Sequence, residues 1–480
     1  MEEAQILVLV GCILAASLLV AFGASRLGVP SLVAFLLLGM LIGIDGPGNV
    51  DFSDAQLART IAIIGLVAIL FEGGLSTSWR RLREVAVPAA LLSTVAVLVT
   101  AFMAGLAAYI LFDVPILYAF LIGAIISSTD AAAVFAALRN SRVKRKLGRT
   151  LEAESGANDP VAIALTVGIV SWITEPGYGL DDMVILLLHK LIVGLLIGLV
   201  LGILARLVFS RLPISIGSFA PVASLAICTI SFGLTELVGG SGFLAVYLVG
   251  LAIGSTPSRY RSMLTAFHEG LAFLAQVIMF IVLGLLVVPS QLFTVAGTGI
   301  VLSILLMFII RPIAVWLSTI GSGFQLNEKM FLGWAGLRGA LPIILATIVI
   351  SSGIEYSNLI FNIVFFVVLI STIFQGSTLE YVASKLKVID VMPVAEIHHS
   401  QRRILSTKFF VMPSHAIVGS YINELGLPPK AYIKAIRRGP KEIRLTSSTK
   451  IRSDDYVIVS YPATIQPELE DVMIRWRRRI

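Results

Sequence analysis

The stretch of this sequence best suited to chemistry is a polar one inside an apolar run, residues 152–160, which read EAESGANDP. Glu154 and Asn158 are four residues apart, as are Ser155 and Asp159, so the two pairs form adjacent stripes on one helix. Burial in a low dielectric favours the protonated acid, whereas a bound cation favours the carboxylate. Asp159 is therefore suited to hold a proton and a cation in turn, as an ion exchanger requires.

A second polar stretch, Ser127, Ser128, Thr129 and Asp130, lies at the centre of another apolar run. On a regular helix, four consecutive polar residues would cover every face and expose some of them to lipid. Local unwinding avoids this, because the freed backbone carbonyls and the Thr129 hydroxyl then line a wet cavity. The alternative, close packing of small hydroxyl side chains between helices, leaves Asp130 unexplained.

A third stretch, residues 333–342, reads GWAGLRGALP and places an arginine among three glycines and a proline. This composition predicts a second interrupted helix. Arg338 stays charged at membrane depth, so it needs a carboxylate partner. We expect this partner to be Glu154, with Asp130 as the competitor, and we expect the pair to be mainly structural.

Glu72 lies in the string FEGG at the end of an earlier apolar run. Two interpretations are open. Glu72 lines the cytoplasmic approach to the ion site, or it is an interfacial glutamate that extends its carboxylate to water before a basic loop.

The elements that position these residues are membrane helices. The chain has 480 residues, of which 57% are hydrophobic and only 14% charged, too little charge to cover a soluble protein of this size. Its apolar runs have roughly the 18 to 26 residues that cross a bilayer. They centre near residues 14, 37, 66, 98, 127, 162, 197, 228, 248, 276, 307, 340 and 370.

The distribution of charge predicts the topology. Basic residues such as Arg80, Lys144 and Arg206 follow odd-numbered runs, and acidic or neutral loops follow most even-numbered ones. This pattern places the N-terminus outside and everything after residue 387 in the cytoplasm. Because the basic residues sit in short loops, the net charge of +7 does not indicate nucleic-acid binding.

The two interrupted helices are the fifth and the twelfth of about thirteen, and an offset of seven gives them opposite orientations. The predicted fold is therefore an all-α, multi-pass membrane protein with inverted repeats and two crossing interrupted helices. Residues 1–387 form this transmembrane exchange domain. Residues 388–407 form a linker, and residues 408–480 form a small cytoplasmic α+β domain with short strands around residues 409–412, 433–436, 442–445 and 456–460.

Four strings give the membrane region a family resemblance: FEGGL at 71–75, SSTDAAAVF at 127–135, EAESGANDP at 152–160 and GLRGALP at 336–342. Together they resemble the monovalent cation/proton antiporter superfamily, most closely its NhaP-type sodium or potassium/proton antiporters. The resemblance implies a homodimer in which a transport domain moves against a scaffold as an elevator. It also implies electroneutral exchange, because an Asn-Asp pair stands at residues 158 and 159.

The resemblance also implies roles for individual residues. Asp159 would bind the cation and the proton, and Thr129 and Ser155 would help to ligate the monovalent cation. The remaining implied roles are a shaping role for Asp130, a supporting role for Asn158 and a structural ion pair between Glu154 and Arg338. Pro160 departs from the glycine that commonly follows this aspartate in the family.

Residues 408–475 resemble the C-terminal half of regulator-of-potassium-conductance domains, the TrkA-C-like part. The sequence has no GxGxxG motif for a dinucleotide, so gating by NAD is not expected. A regulatory nucleotide at a dimer interface and a purely dimer-stabilising module are both open interpretations. Such domains accompany potassium systems, which favours K+ over Na+.

The predicted function is exchange of K+, or Na+, for H+ across the cytoplasmic (inner) membrane, with membrane lipid and monovalent cations as partners and no resident cofactor. Three alternatives remain: a Na+-selective antiporter, a gated potassium efflux channel without proton coupling, and a sensor anchored by its membrane part. An enzyme is not expected, since the sequence contains no HExxH or GxSxG motif.

Overall fold

The computed structural model describes residues 3–27, 30–138, 143–211, 219–256, 260–389, 404–439, 441–443, 445–446, 449–462 and 465–477. The chain divides into two compact units, Met1–Asp390 and Val391–Ile480. Most of the predicted linker, residues 390–403, lies outside the described residues. The first strand of the second unit begins at Ile404, within the stretch predicted as linker.

The first unit consists of apolar helices, which confirms the predicted fold class. The helices are α1 (Glu3–Leu27), α2 (Ser31–Ile42), α3 (Ala55–Ser76), α4 (Ala86–Leu111), α5a (Ile116–Ile125), α5b (Ala131–Leu138), α6 (Arg145–Thr174), α7 (Leu180–Arg211), α8 (Ala220–Leu237), α9 (Gly242–Gly254), α10 (Arg261–Leu285), α11 (Pro289–Ser318), α12a (Leu326–Trp334), α12b (Ala340–Ser351) and α13 (Ser357–Lys385).

With each interrupted pair counted once, the described residues hold thirteen apolar segments, one for each predicted run. Eight of them are long and apolar enough to cross a membrane as single helices. Large apolar side chains remain exposed along α7, including Ile185, Ile192 and Val200, as expected where lipid replaces water.

The interruptions fall in the fifth and twelfth segments, as predicted. A second irregularity has the same offset of seven. A π-helical turn at Leu92–Ala96 lies within α4, and another at Leu306–Ile310 lies within α11. Turns of this type often mark functional sites, because the extra residue re-aims the side chains that follow. Both irregularities fit the predicted inverted repeats.

Glycines allow close helix contacts in the half of the unit built from α2, α3, α9 and α10. A Cβ on Gly39 would lie 2.9 Å from Cα of Gly284, and one on Gly74 would lie 3.2 Å from Cα of Gly250. Small residues at such positions let backbones pack directly, which is how membrane helices gain dispersion energy without a hydrophobic driving force.

The described residues of the second unit form a four-stranded antiparallel sheet in the order β1-β4-β2-β3. Its strands are β1 (Ile404–Phe410), β2 (Tyr432–Arg438), β3 (Lys441–Ile443) and β4 (Asp455–Pro462), followed by helix α14 (Gln466–Arg477). These elements confirm the small α+β domain, whereas its resemblance to TrkA-C-like domains and its regulatory nucleotide stay predictions.

Two local features of the second unit have clear causes. Residues 419–427 hold a single 3-10 turn, Ile422–Glu424, because Gly419 and Gly426 adopt positive φ on either side of it and prevent a longer helix. Asp455 is fully buried and accepts hydrogen bonds from Arg438 at 2.7 and 2.8 Å. These bonds raise the pKa of the Arg438 guanidinium.

Candidate ion-binding site

The breaks in α5 and α12 lie against each other beside α6. The Asp130 backbone N–H donates to the Leu337 carbonyl at 2.9 Å. From the other break, Arg338 Nη1 donates to the carbonyls of Ser127 and Ser128, at 2.8 and 2.5 Å. Unwinding frees these backbone groups, so each break supplies the hydrogen-bond partners that the other lacks.

Asp159 lies on α6 next to the break in α5. Its side chain is 5% exposed, and its Oδ1 accepts a hydrogen bond of 2.7 Å from the Ser128 hydroxyl. The helix continues through Pro160 without a break, so the proline does not displace Asp159 from its helical face. Ser128 is thus a site residue to which the sequence analysis assigned no role of its own, although it belongs to the polar stretch that predicted the break.

Asn158 ties α6 to the same break. Its Nδ2 donates to the Thr129 hydroxyl at 2.7 Å and to the Thr129 carbonyl at 3.1 Å. The Thr129 hydroxyl donates in turn to Glu154 Oε1 at 3.3 Å. Asn158 therefore stabilises the break in α5 through hydrogen bonds to Thr129, and the Thr129 hydroxyl links Asn158 to Glu154.

The prediction that Glu154 pairs with Arg338 is wrong, because the cation beside Glu154 is Arg311. Glu154 Oε1 accepts from Arg311 Nη2, and both side chains are 1% exposed. Arg338 is equally buried, but among the described residues it bonds to backbone carbonyls and to no carboxylate. The freed carbonyls of the α5 break accept from its Nη1 and so compensate part of its charge, whereas its buried Nε and Nη2 have no hydrogen-bond partner among the described residues.

Arg311 is a functional candidate that the sequence analysis missed. It directly follows the π-helical turn of α11 and precedes Pro312. A signal was present, since an arginine inside an apolar run is as costly as the aspartates that we selected. Its identity as the partner of Glu154 could not be found from that signal, because 157 residues separate the two.

Asp130 lies at the crossing of the breaks. Its Oδ1 accepts from the Ala133 backbone N–H at 3.2 Å, which caps the start of α5b. Its other oxygen lies against Gly339, where a Cβ would overlap the carboxylate. Gly339 is thus required for close approach of the α12 backbone to the acid.

We expect Gly339→Ala to impair transport, since the added methyl group must displace Asp130 from the start of α5b. The measurement is cation-dependent proton exchange per correctly folded protein in proteoliposomes. Gly73→Ala is the matched control, because Gly73 and Gly339 both line a cavity that reaches Asp159 and a Cβ on Gly73 meets nothing within 4 Å. Equal activity of the two variants would show that transport does not depend on the close approach of Gly339 to Asp130.

A cavity of about 300 Å³ reaches Asp159. It brings together four of the predicted site residues, and Glu72 lies in the same wall, with its Oε1 accepting from the Ser76 hydroxyl at 2.7 Å. Tyr247, whose ring packs on Gly156, adds a polar side chain that sequence reasoning did not select. The predicted residues that line the cavity are Glu72, Thr129, Asp130, Ser155 and Asp159.

The charged side chains at the crossing nearly cancel. Arg311 and Arg338 carry two positive charges, and Glu154 and Asp130 carry two negative ones when ionised. Asp159 is the other buried carboxylate among the described residues of the site, since Glu152 is exposed and Glu72 is half-buried in the cavity wall. With Asp159 protonated the set is neutral, and with Asp159 ionised and bare it has one uncompensated negative charge. A monovalent cation at Asp159 restores neutrality, and a buried net charge is what the low dielectric penalises.

Residues 13–385 match the family model described as sodium/hydrogen exchanger, transmembrane. The chain therefore belongs to the sodium/hydrogen exchanger family. It is 41% identical over 391 residues to the K(+)/H(+) antiporter NhaP of Alkalimonas amylolytica, a match that covers 81% of this chain and 68% of that protein. It is 34% identical over 468 residues to the K(+)/H(+) antiporter NhaP2 of Shewanella baltica, covering 94% and 80%.

A solved structure agrees with the family assignment. The sodium proton antiporter MjNhaP1 from Methanocaldococcus jannaschii at pH 8 superposes with a TM-score of 0.68 and 26% sequence identity. The match covers 80% of this chain and 99% of that one. The class of protein is thus a cation/proton antiporter of the NhaP type, as the sequence motifs predicted.

Proposed function

We propose that this protein exchanges K+ for H+ one for one across the cytoplasmic membrane, with the two ions competing for Asp159. The observation that carries the proposal is the burial of the Asp159 carboxylate beside the paired Arg311 and Glu154, where either one proton or one monovalent cation would neutralise its charge. The cavity that Asp159 lines is the route by which we propose that ions reach the carboxylate. Thr129 and Ser155 line the same cavity and are oxygen ligands for the cation.

Coupling follows from the cost of moving a bare carboxylate. When Asp159 holds either ion, the side chains around the two helix breaks carry no net charge, and this part of the protein can move in the membrane. When Asp159 is ionised and empty, its uncompensated charge opposes that movement. A cation can then leave only in exchange for a proton. We further propose that the protein works as a homodimer, with the crossing helices moving as an elevator against the remaining helices. In this arrangement the N-terminus is outside.

The choice of K+ over Na+ rests on the relatives. Two relatives that match at 41% and 34% identity are named as K(+)/H(+) antiporters, whereas the structural match is named as a sodium proton antiporter. Oxygen ligands alone do not discriminate these ions, because selectivity depends on cavity size and ligand number.

Proteoliposomes test this proposal directly. We expect proton release from loaded vesicles on addition of K+, with smaller responses to Na+ and Li+, and a rate that an imposed membrane potential does not change. Competition predicts that each unit fall in pH raises the apparent KM for K+ by up to about tenfold.

Three results would contradict parts of the proposal. A larger response to Na+ than to K+ would make the protein a sodium antiporter. A voltage-dependent rate would exclude one-for-one exchange. K+ flux without proton movement, or single-channel conductance in a bilayer, would favour the gated channel.

A further inference from the structure

A second cavity, of about 480 Å³, lies away from the ion site between α7, α9 and the short helix Trp79–Arg83 that follows α3. We propose that it binds an anionic phospholipid by its phosphate headgroup. This cavity shares no lining residue with the cavity at Asp159. The proposal therefore does not depend on the transport cycle.

The position of the cavity fits a membrane surface. Its walls come from residues 78–80, which directly follow α3, and from the C-terminal halves of α7 and α9. These are three odd-numbered segments, so their C-terminal ends must lie on the same side of the bilayer. By the distribution of basic residues this is the cytoplasmic side, where anionic lipids meet the protein. Trp79 stands at the rim, its backbone N–H bonded to the Ser255 hydroxyl at 2.8 Å, and tryptophan favours this interfacial level.

The charged side chains that line the cavity favour an anionic ligand. Arg80 and Arg206 both line it, and neither forms an ion pair with any residue that the structure describes. None of the described lining residues is acidic. Arg206 lies five residues before the end of α7, so its long side chain can reach the headgroup level while its stem stays beside lipid.

The rest of the lining is apolar, which distinguishes a lipid from a soluble phosphate. Leu199, Ile203 and Leu248 form the wall that continues from the two arginines, and Leu199 and Ile203 are 43% and 60% exposed on the α7 surface. A headgroup held by Arg80 and Arg206 would lay its acyl chains along this wall. Gly198 and Gly202 keep the groove between α7 and α9 narrow.

The test is lipid binding by the purified full-length protein in detergent, followed by native mass spectrometry and thermal unfolding. We expect phosphatidylglycerol to bind and to raise the melting temperature, and phosphatidylcholine to do so much less. Arg80→Gln and Arg206→Gln should each weaken phosphatidylglycerol binding about fivefold. Arg83→Gln is the matched control, since Arg83 is exposed on the same short helix and does not line the cavity.

A second pair of variants tests the apolar wall without altering charge. Ile203→Trp should fill the groove and reduce phosphatidylglycerol binding, whereas Leu204→Trp, at an exposed neighbouring position outside the cavity, should not. Equal phosphatidylglycerol binding by wild type and the Arg80→Gln/Arg206→Gln double variant would overturn the proposal. The same conclusion would follow if glycerol phosphate without acyl chains gave the full thermal shift.

Discussion

Asp159→Asn is expected to reduce cation-dependent proton exchange to the rate of vesicles that lack the protein. Asparagine matches aspartate in size but can neither take up a proton nor neutralise a cation, so the variant keeps the crossing neutral without carrying either ion. The Ser128 hydroxyl retains an oxygen acceptor at this position, and we therefore expect the protein to fold. The measurement is the dissipation of a pH gradient in everted membrane vesicles on addition of K+.

Glu152→Gln is the control for this variant. Glu152 lines the same cavity as Asp159 but is exposed, and the loss of an exposed charge has a small effect. We expect its exchange rate to stay within about twofold of wild type. Survival of K+-dependent proton movement in Asp159→Asn would show that the shared carboxylate lies elsewhere, and the proposed mechanism would be abandoned.

Arg311→Gln is expected to destabilise the folded protein by about 3–5 kcal/mol, because it leaves the buried Glu154 carboxylate without its cation. Adding Glu154→Gln should restore part of this loss, since the uncompensated charge is then removed. The measurement is a double-mutant cycle on thermal or denaturant unfolding of the detergent-purified protein.

The same cycle with Arg338 serves as the comparison. Arg338 bonds to the carbonyls of Ser127 and Ser128, so its coupling to Glu154 should be clearly smaller than that of Arg311. Loss of Arg338 should instead loosen the break in α5. A coupling between Glu154 and Arg338 as large as that with Arg311 would contradict the ion pair that the structure places in the core.

The irregular backbone of the membrane unit is concentrated beside Asp159, where the breaks of α5 and α12 meet and Arg311 follows the π-helical turn of α11. The breaks of α5 and α12 free backbone groups that bond to the opposite break and to side chains of neighbouring helices, such as Asn158. A change at either break therefore affects the surroundings of Asp159, because Arg338 bonds to the Ser127 and Ser128 carbonyls and the Ser128 hydroxyl bonds to Asp159. This arrangement concentrates the functional residues of four segments around one carboxylate.

Much of the fold could be predicted because its signals are local. The thirteen predicted apolar runs correspond to thirteen segments among the described residues, and the polar stretches at 127–130 and 333–342 marked both interruptions. In the described part of the second unit, each of the four predicted strand regions overlaps an observed strand, with ends that differ by up to several residues. Length and apolar content are properties of neighbouring residues, and the bilayer imposes them directly on each segment.

The sequence by itself determined which residues were costly enough to matter: Asp159, Asp130, Glu154 and Arg338 were all selected from their depth in apolar runs. Only the tertiary structure decided their partners. Arg311 replaced Arg338 beside Glu154, and Ser128 donates to Asp159. The physical reason is that the cost of a buried charge depends on its own segment, whereas its compensation depends on which helices pack together.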